Sequence, residues 1–280
     1  MAIKEVLLPL TSYPIPTEER AIDQAVQLIK GLEANVSAVT FELDIRSPIG
    51  LYADPVNIRG IIAAESKKSA TNAQNLLRSF QSIAGRWGIR HEQHTVQCTP
   101  AELSTHLVTR SRAVDLTIFA MRPEDGDQQS VAEELIFGSG RPVMIFPDDP
   151  KGELPRSLTT IAIAWDSGRP CARAIADALP LLERANVVQI FTVSDNKAID
   201  KASTAMLLSY LNVHGVRAIF EELKSGERPI GEVFTDYIQL NHIELLVMGA
   251  YGHSRLREFL LGGATKSILS KPPGWVLLSH

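Results

Sequence analysis

Two apolar patterns alternate along the chain. Short runs rich in Val, Ile and Leu predict strands at "KEVLLPL" (4–10), "VSAVTFEL" (36–43), "HEQHTVQ" (91–97), "LTIFAM" (116–121) and "RPVMIFP" (141–147). Between them, apolar residues recur about one helical turn apart, as Ile22, Val26 and Ile29 do within "TEERAIDQAVQLIKGLEA" (17–34). That spacing predicts helices there, over 56–87, from "TPAELSTHLV" onward and around 129–138. Strands alternating with helices of this length indicate βαβ units on a parallel sheet.

The same order then restarts. The polar, proline-bearing stretch "DDPKGELPRS" (148–157) has linker composition. Strands follow at 159–165, 186–193, 216–223, 244–249 and 274–280, with helices from "RPCARAIADALPLLERA" onward and over 198–213 and 229–240. The pattern predicts an α/β protein of two tandem domains, 1–150 and 151–280, each with a five-stranded parallel sheet flanked by helices. One doubly wound sheet of ten strands is the alternative; the polar linker at the repeat boundary weighs against it.

Composition narrows the function classes. The 280 residues suit two domains of ordinary size, and 45% hydrophobic with 21% charged residues suits a soluble globular protein. A net charge of −4 offers no basic footprint for nucleic acid or an anionic membrane. No apolar run approaches the ~18–20 residues that span a bilayer. The start, "MAIKEVLLPL", has the wrong flanks for a signal peptide. Two cysteines, Cys98 and Cys171, give neither a disulfide framework nor a CxxC metal site, and read as buried, inert thiols. The expected location is cytoplasmic.

Candidate chemistry concentrates in one stretch, "MGAYGHSRLREFLLGGATKSIL" (248–269). It begins at a predicted strand end, where open parallel sheets bind ligands. Its glycines let a phosphate or sugar approach the main chain, and "GGATKSILS" reads as a helix start whose unpaired N–H groups favour an anion. Thr265 and Ser267 would add hydroxyl donors. The plainer reading makes these glycines turn-formers. Asp166, in "AWDSG", lies at the same rim; its carboxylate could accept from a base or ribose, or cap the helix that follows. No catalytic residue or metal-ligand set is predicted. There is no G-x4-G-K-[ST] loop, "GHSRL" lacks the last glycine of a nucleophile elbow, and His91 and His94 point to opposite faces of a strand. His253, Tyr251 and Arg255 read as exposed loop residues near the presumed phosphates, and Tyr52 as a loop anchor.

Gly249, two residues, Gly252, nine residues, then Gly262 resembles the G-x2-G-x9-G-[Ser/Thr] nucleotide motif of the universal stress protein family. The strand succession and Asp166 are also similar to it. The resemblance implies strand order 3-2-1-4-5 and ATP, with or without Mg, at the sheet rim. It places adenine by Asp166 and the backbone of Val193, the ribose by Gly249, and the phosphates on Gly252, Gly262, Gly263 and Ala264. Gly263 stands where the motif has Ser or Thr, which removes one hydroxyl donor. The implied function is a stress-response, nucleotide-dependent regulator with at most slow hydrolysis and a protein partner. The alternative is a nucleotide-independent interaction or small-ligand-binding protein. The order also makes 141–147 and 274–280 edge strands. Joined across a pseudo-two-fold axis, they would bury Val143, Ile145, Val276 and Leu278, giving a pseudo-dimer within one chain that could pair further as a homodimer.

The first copy departs at each matching position. Ala120 and Pro123 replace Gly249 and Gly252, Thr11 replaces Asp166, and Gln129 and Ser130 fall where the second copy has Gly262 and Gly263. Pro123 lacks an N–H, and Asp125 and Asp127 bring carboxylates where an anion would sit. The first copy is expected to have no nucleotide site and to serve structure or partner binding.

Overall fold

The computed structural model describes residues 2–45, 58–148, 155, 157–194, 200–251 and 263–280. Among these, the first half runs β1 (Glu5–Leu10), α1 (Glu19–Gly31), β2 (Asn35–Leu43), α2 (Ile58–Trp87), β3 (His91–Cys98), α3 (Leu103–Ser111), β4 (Leu116–Met121), α4 (Gly126–Gly138) and β5 (Val143–Pro147). The second runs β6 (Thr160–Ala164), α5 (Arg169–Leu182), β7 (Val187–Val193), α6 (Lys201–Val213), β8 (Ala218–Leu223), α7 (Ile230–Leu240), β9 (Leu245–Gly249), α8 (Ala264–Ser270) and β10 (Trp275–Ser279). No helix among the described residues is long and apolar enough to cross a membrane.

The strands lie in the order β3-β2-β1-β4-β5-β10-β9-β6-β7-β8. Each half therefore has the expected 3-2-1-4-5 order with parallel neighbours, and the two halves join into one sheet of ten strands. The join is the antiparallel pair β5–β10, with Val276 opposite Ile145 and Leu278 opposite Val143. All four side chains are fully buried. Burying each contributes about 2 kcal/mol relative to leaving it in water.

Alternation along the joined strands makes both layers of core continuous. Val143, Ile145, Val276 and Leu278 face the layer that holds α3, α4, α7 and α8. Met144, Phe146, Trp275 and Leu277 face the layer of α1, α2, α5 and α6, where the Phe146 and Trp275 rings lie 4.4 Å apart. The Trp275 indole N–H donates to the carbonyl of Pro155, 3.1 Å away. The sheet's outer edges, β3 and β8, are only partly buried and carry polar residues such as Glu92, Gln93, Glu221 and Glu222. Such edges resist pairing with another sheet.

The starts of α4 and α6 differ from the pattern-based expectation, and a polar cap explains each. α4 begins at Gly126 rather than near 129, because the Asp125 carboxylate accepts from the Gln128 N–H at 3.0 Å. α6 begins at Lys201 rather than 198, with Asp200 accepting from the Ser203 N–H at 3.0 Å.

Candidate functional site

In the second half, β6 pairs with β7 on one side and β9 on the other, all parallel. The chain leaves β6 through α5 toward β7 on one face, and reaches β9 through α7 on the opposite face. The carboxyl ends of β6 and β9 thus flank a reversal of strand order, where a crevice opens in doubly wound sheets. Asp166 follows β6, Val193 closes β7 and Gly249 closes β9. The fold brings these three predicted residues to one rim.

Asp166 shapes its own turn. Its Oδ1 accepts from the Gly168 N–H at 2.8 Å, and Ser167 between them has φ 60°. Gly168, not Asp166, is the residue that caps α5. The local turn role weighed from sequence is therefore present, one residue pair upstream of the helix.

Gly249 is required by packing. A Cβ built there would lie 2.3 Å from the backbone nitrogen of Cys171 and 2.7 Å from the carbonyl carbon of Pro170. The first turn of α5 thereby sits directly against the end of β9. Cys171 itself is buried, and its thiol donates to the carbonyl of Ala164 at 3.0 Å. Burial, reinforced by the nearby Asp166 charge, pushes its pKa up to about 12. It stays a neutral thiol near neutral pH and is no nucleophile.

Val193 is partly exposed and pairs with Leu223. Beside it, the Thr192 hydroxyl donates to the carbonyl of Trp165 at 2.7 Å, tying the ends of β7 and β6 together.

Gly263 caps α8, and its carbonyl accepts from the Ser267 N–H at 3.1 Å. Ala264 and Thr265 are the first two residues of that helix. Thr265 is buried, and its Oγ1 accepts from the Tyr251 N–H at 3.2 Å, so the start of α8 lies against the end of β9. Gly252 and Gly262, with His253 and Arg255, lie outside the described residues, as does Tyr52. Among the described residues, no group of three or more His, Cys, Asp or Glu side chains could hold a metal ion.

The corresponding rim of the first half is knitted shut. The Arg122 N–H donates to Gln128 Oε1 at 2.6 Å. Its guanidinium reaches the carbonyls of Ile15, at 2.7 Å, and Pro16. It also pairs with Asp148 Oδ2 at 2.9 Å, where the Asp148 side chain is 1% exposed. The other Asp148 oxygen accepts from the Glu18 N–H at 3.1 Å. Gln128, itself buried, points its amide at Thr11 Oγ1, 3.5 Å away. Gln129 and Ser130 lie inside α4, with the Ser130 hydroxyl donating to the Gly126 carbonyl at 3.0 Å. Nothing in the sequence pattern singled out Arg122. Its only local signal was a charged residue directly after a buried strand.

These features define a pair of doubly wound α/β units in one chain, one rim filled by its own side chains and the other built from glycine, an aspartate and a helix start. No family model matches the chain. It is 24% identical over 242 residues to a universal stress protein of Synechocystis, covering 82% of this chain and 80% of that one. A universal stress protein of Archaeoglobus fulgidus superposes with a TM-score of 0.70 at 14% identity, covering 98% of this chain and 96% of that one. A Pseudomonas aeruginosa protein provisionally named a universal stress protein does so at 0.56 and 16% identity, over 99% of this chain and 93% of that one. In fold over its whole length, and in sequence over most of it, the chain is similar to universal stress proteins, with two such halves in one chain.

Proposed function

We propose that the chain is a stress-response regulator that binds ATP, or a related adenine nucleotide, in its second half. The observation that carries this reading is the placing of Asp166, Val193 and Gly249 at the ends of three adjacent parallel strands around the strand-order reversal. Gly263 and Ala264 lie next to them, through the contact of Tyr251 with Thr265. In this reading residues 1–150 and 151–280 are separate domains, and only the second holds ligand. Asp166 and the Val193 backbone receive the base, Gly249 the ribose, and the N–H groups of Gly263 and Ala264 the phosphates, with Gly252 and Gly262 completing the set. Mg would accompany the triphosphate. Hydrolysis is at most slow, because the buried thiol of Cys171 beside the rim is held neutral and, among the described residues, no general base is paired with a nucleophile there. The protein acts in the cytoplasm, and a protein partner reads its nucleotide state.

A second reading, nucleotide-independent interaction or binding of another small ligand, draws on three facts. Gly263 supplies no hydroxyl, one Asp166 oxygen serves its own turn, and Thr265 Oγ1 is engaged by Tyr251. Mass spectrometry of small molecules released from the purified protein separates the two. Adenine nucleotide at a substantial fraction of the protein concentration supports the first; a different ligand or none, together with no retention of added Mg-ATP, supports the second.

A further inference from the structure

Tyr251 follows β9 with φ 56°, in the left-handed region that glycine occupies at less cost than tyrosine. An observed backbone outlier held by its surroundings is a reason to ask what holds it. Its side chain crosses to the other half of the molecule. The hydroxyl donates to Glu133 Oε1, and the ring packs on Phe137 with centroids 4.9 Å apart. Both partners are on α4. Phe137 also meets the His280 ring at 4.6 Å, and His280 Nδ1 lies 2.9 Å from the carbonyl of Ala250. On the backbone side, the Tyr251 N–H donates to Thr265 Oγ1. A further tie runs from the Glu124 N–H to the carbonyl of Ser270 at the end of α8, 2.7 Å away. The described residues on either side of 252–262 are thus held together, and held from the first half.

We propose that Tyr251 is a positioning residue through which the first half fixes the end of β9 against the start of α8, so that the first half is a working part of the second half's ligand site. The proposal rests on the reading of that rim as a ligand site. It gives α4 a role besides closing its own rim. It also implies reciprocity: ligand bound at the rim stabilises the α4 contact by the same free energy with which that contact strengthens ligand binding.

The test uses the full chain with three substitutions. Tyr251→Gly removes the side chain and relieves the backbone, Tyr251→Phe keeps the ring without the hydroxyl, and Glu133→Ala removes the acceptor on α4. Amide hydrogen exchange in the free protein should speed up by about tenfold at residues 250, 251 and 265 in Tyr251→Gly and Glu133→Ala, with α5 amides unchanged. Mg-ATP affinity should fall by about tenfold or more in both, with Tyr251→Phe intermediate, the loss expected for one charge-assisted hydrogen bond. Unchanged exchange would overturn the proposal. So would faster exchange with wild-type affinity, because the contact would then be structural only. If wild-type protein binds no nucleotide, the nucleotide reading fails by itself, and the exchange result alone decides whether α4 holds the rim.

Discussion

The two rims of this molecule are built on one strand order and end in opposite states. At the first, an arginine, a glutamine and a buried aspartate satisfy one another and the carbonyls of Ile15 and Pro16. At the second, the matching strand ends carry Gly249 and Asp166, and the neighbouring helix begins after Gly263. The difference shows how two units with one strand order can share a plan for the core and differ at the rim. The strand pairing depends on apolar runs that both halves share, whereas the rim depends on a few residues beyond the strand ends that can change together.

The largest effect is expected from separating the halves. Replacing Val276 and Leu278 with lysine puts two charges into a fully buried join, so stability should fall by more than about 5 kcal/mol. Calorimetry should then show two independent melting transitions, or outright unfolding. A single unchanged transition would mean that the β5–β10 pair does not hold the halves together.

Next in size is Arg122→Ala, which leaves the buried Asp148 carboxylate without its guanidinium. A loss of about 3–5 kcal/mol in chemical denaturation is expected, with no change in what the second rim binds. A loss under about 1 kcal/mol, the range of an exposed pair, would show that the first rim is not closed by this network.

Gly249→Ala sharpens the contrast at matched strand positions. Its methyl would collide with the backbone of Pro170 and Cys171, so about 2–3 kcal/mol should be lost along with ligand affinity. Ala120→Gly in the first half should cost only about 1 kcal/mol. Equal effects at both positions would remove the packing argument for Gly249.

The smallest expected effect separates two roles of Asp166. If its carboxylate receives the ligand as well as the Gly168 N–H, Asp166→Ala should weaken binding by roughly 1–3 kcal/mol. If it serves only the turn, stability should drop by about 1 kcal/mol with affinity unchanged. Melting of the free protein and nucleotide titration, run on the same sample, distinguish them.

Strand positions were legible in the sequence because buried strands are written as local apolar runs, whereas strand order and the central join followed from the family resemblance. The burial of Val143, Ile145, Val276 and Leu278 needed only those runs and the order that the family resemblance implied. Helix starts were less legible, since α4 begins on the cap of Asp125 before any apolar period appears. At the candidate site, the turn role of Asp166 could be weighed from the sequence, but the packing duty of Gly249 could not. The space beside Gly249 is taken by a helix start about eighty residues away in sequence, and Tyr251 meets a glutamate 118 residues distant. Arg122 likewise finds its partners in Ile15 and Pro16 on one segment and Asp148 on another. Such contacts leave no periodic trace in a single sequence; only the folded sheet brings them together.

The asymmetry of the two rims is tested by the stoichiometry of Mg-ATP binding in isothermal titration calorimetry. About one site per chain is expected, weakened by Asp166→Ala and untouched by changing Thr11 in the first half. Two equivalent sites per chain, or one site that survives every change at Asp166 and Gly249, would contradict it.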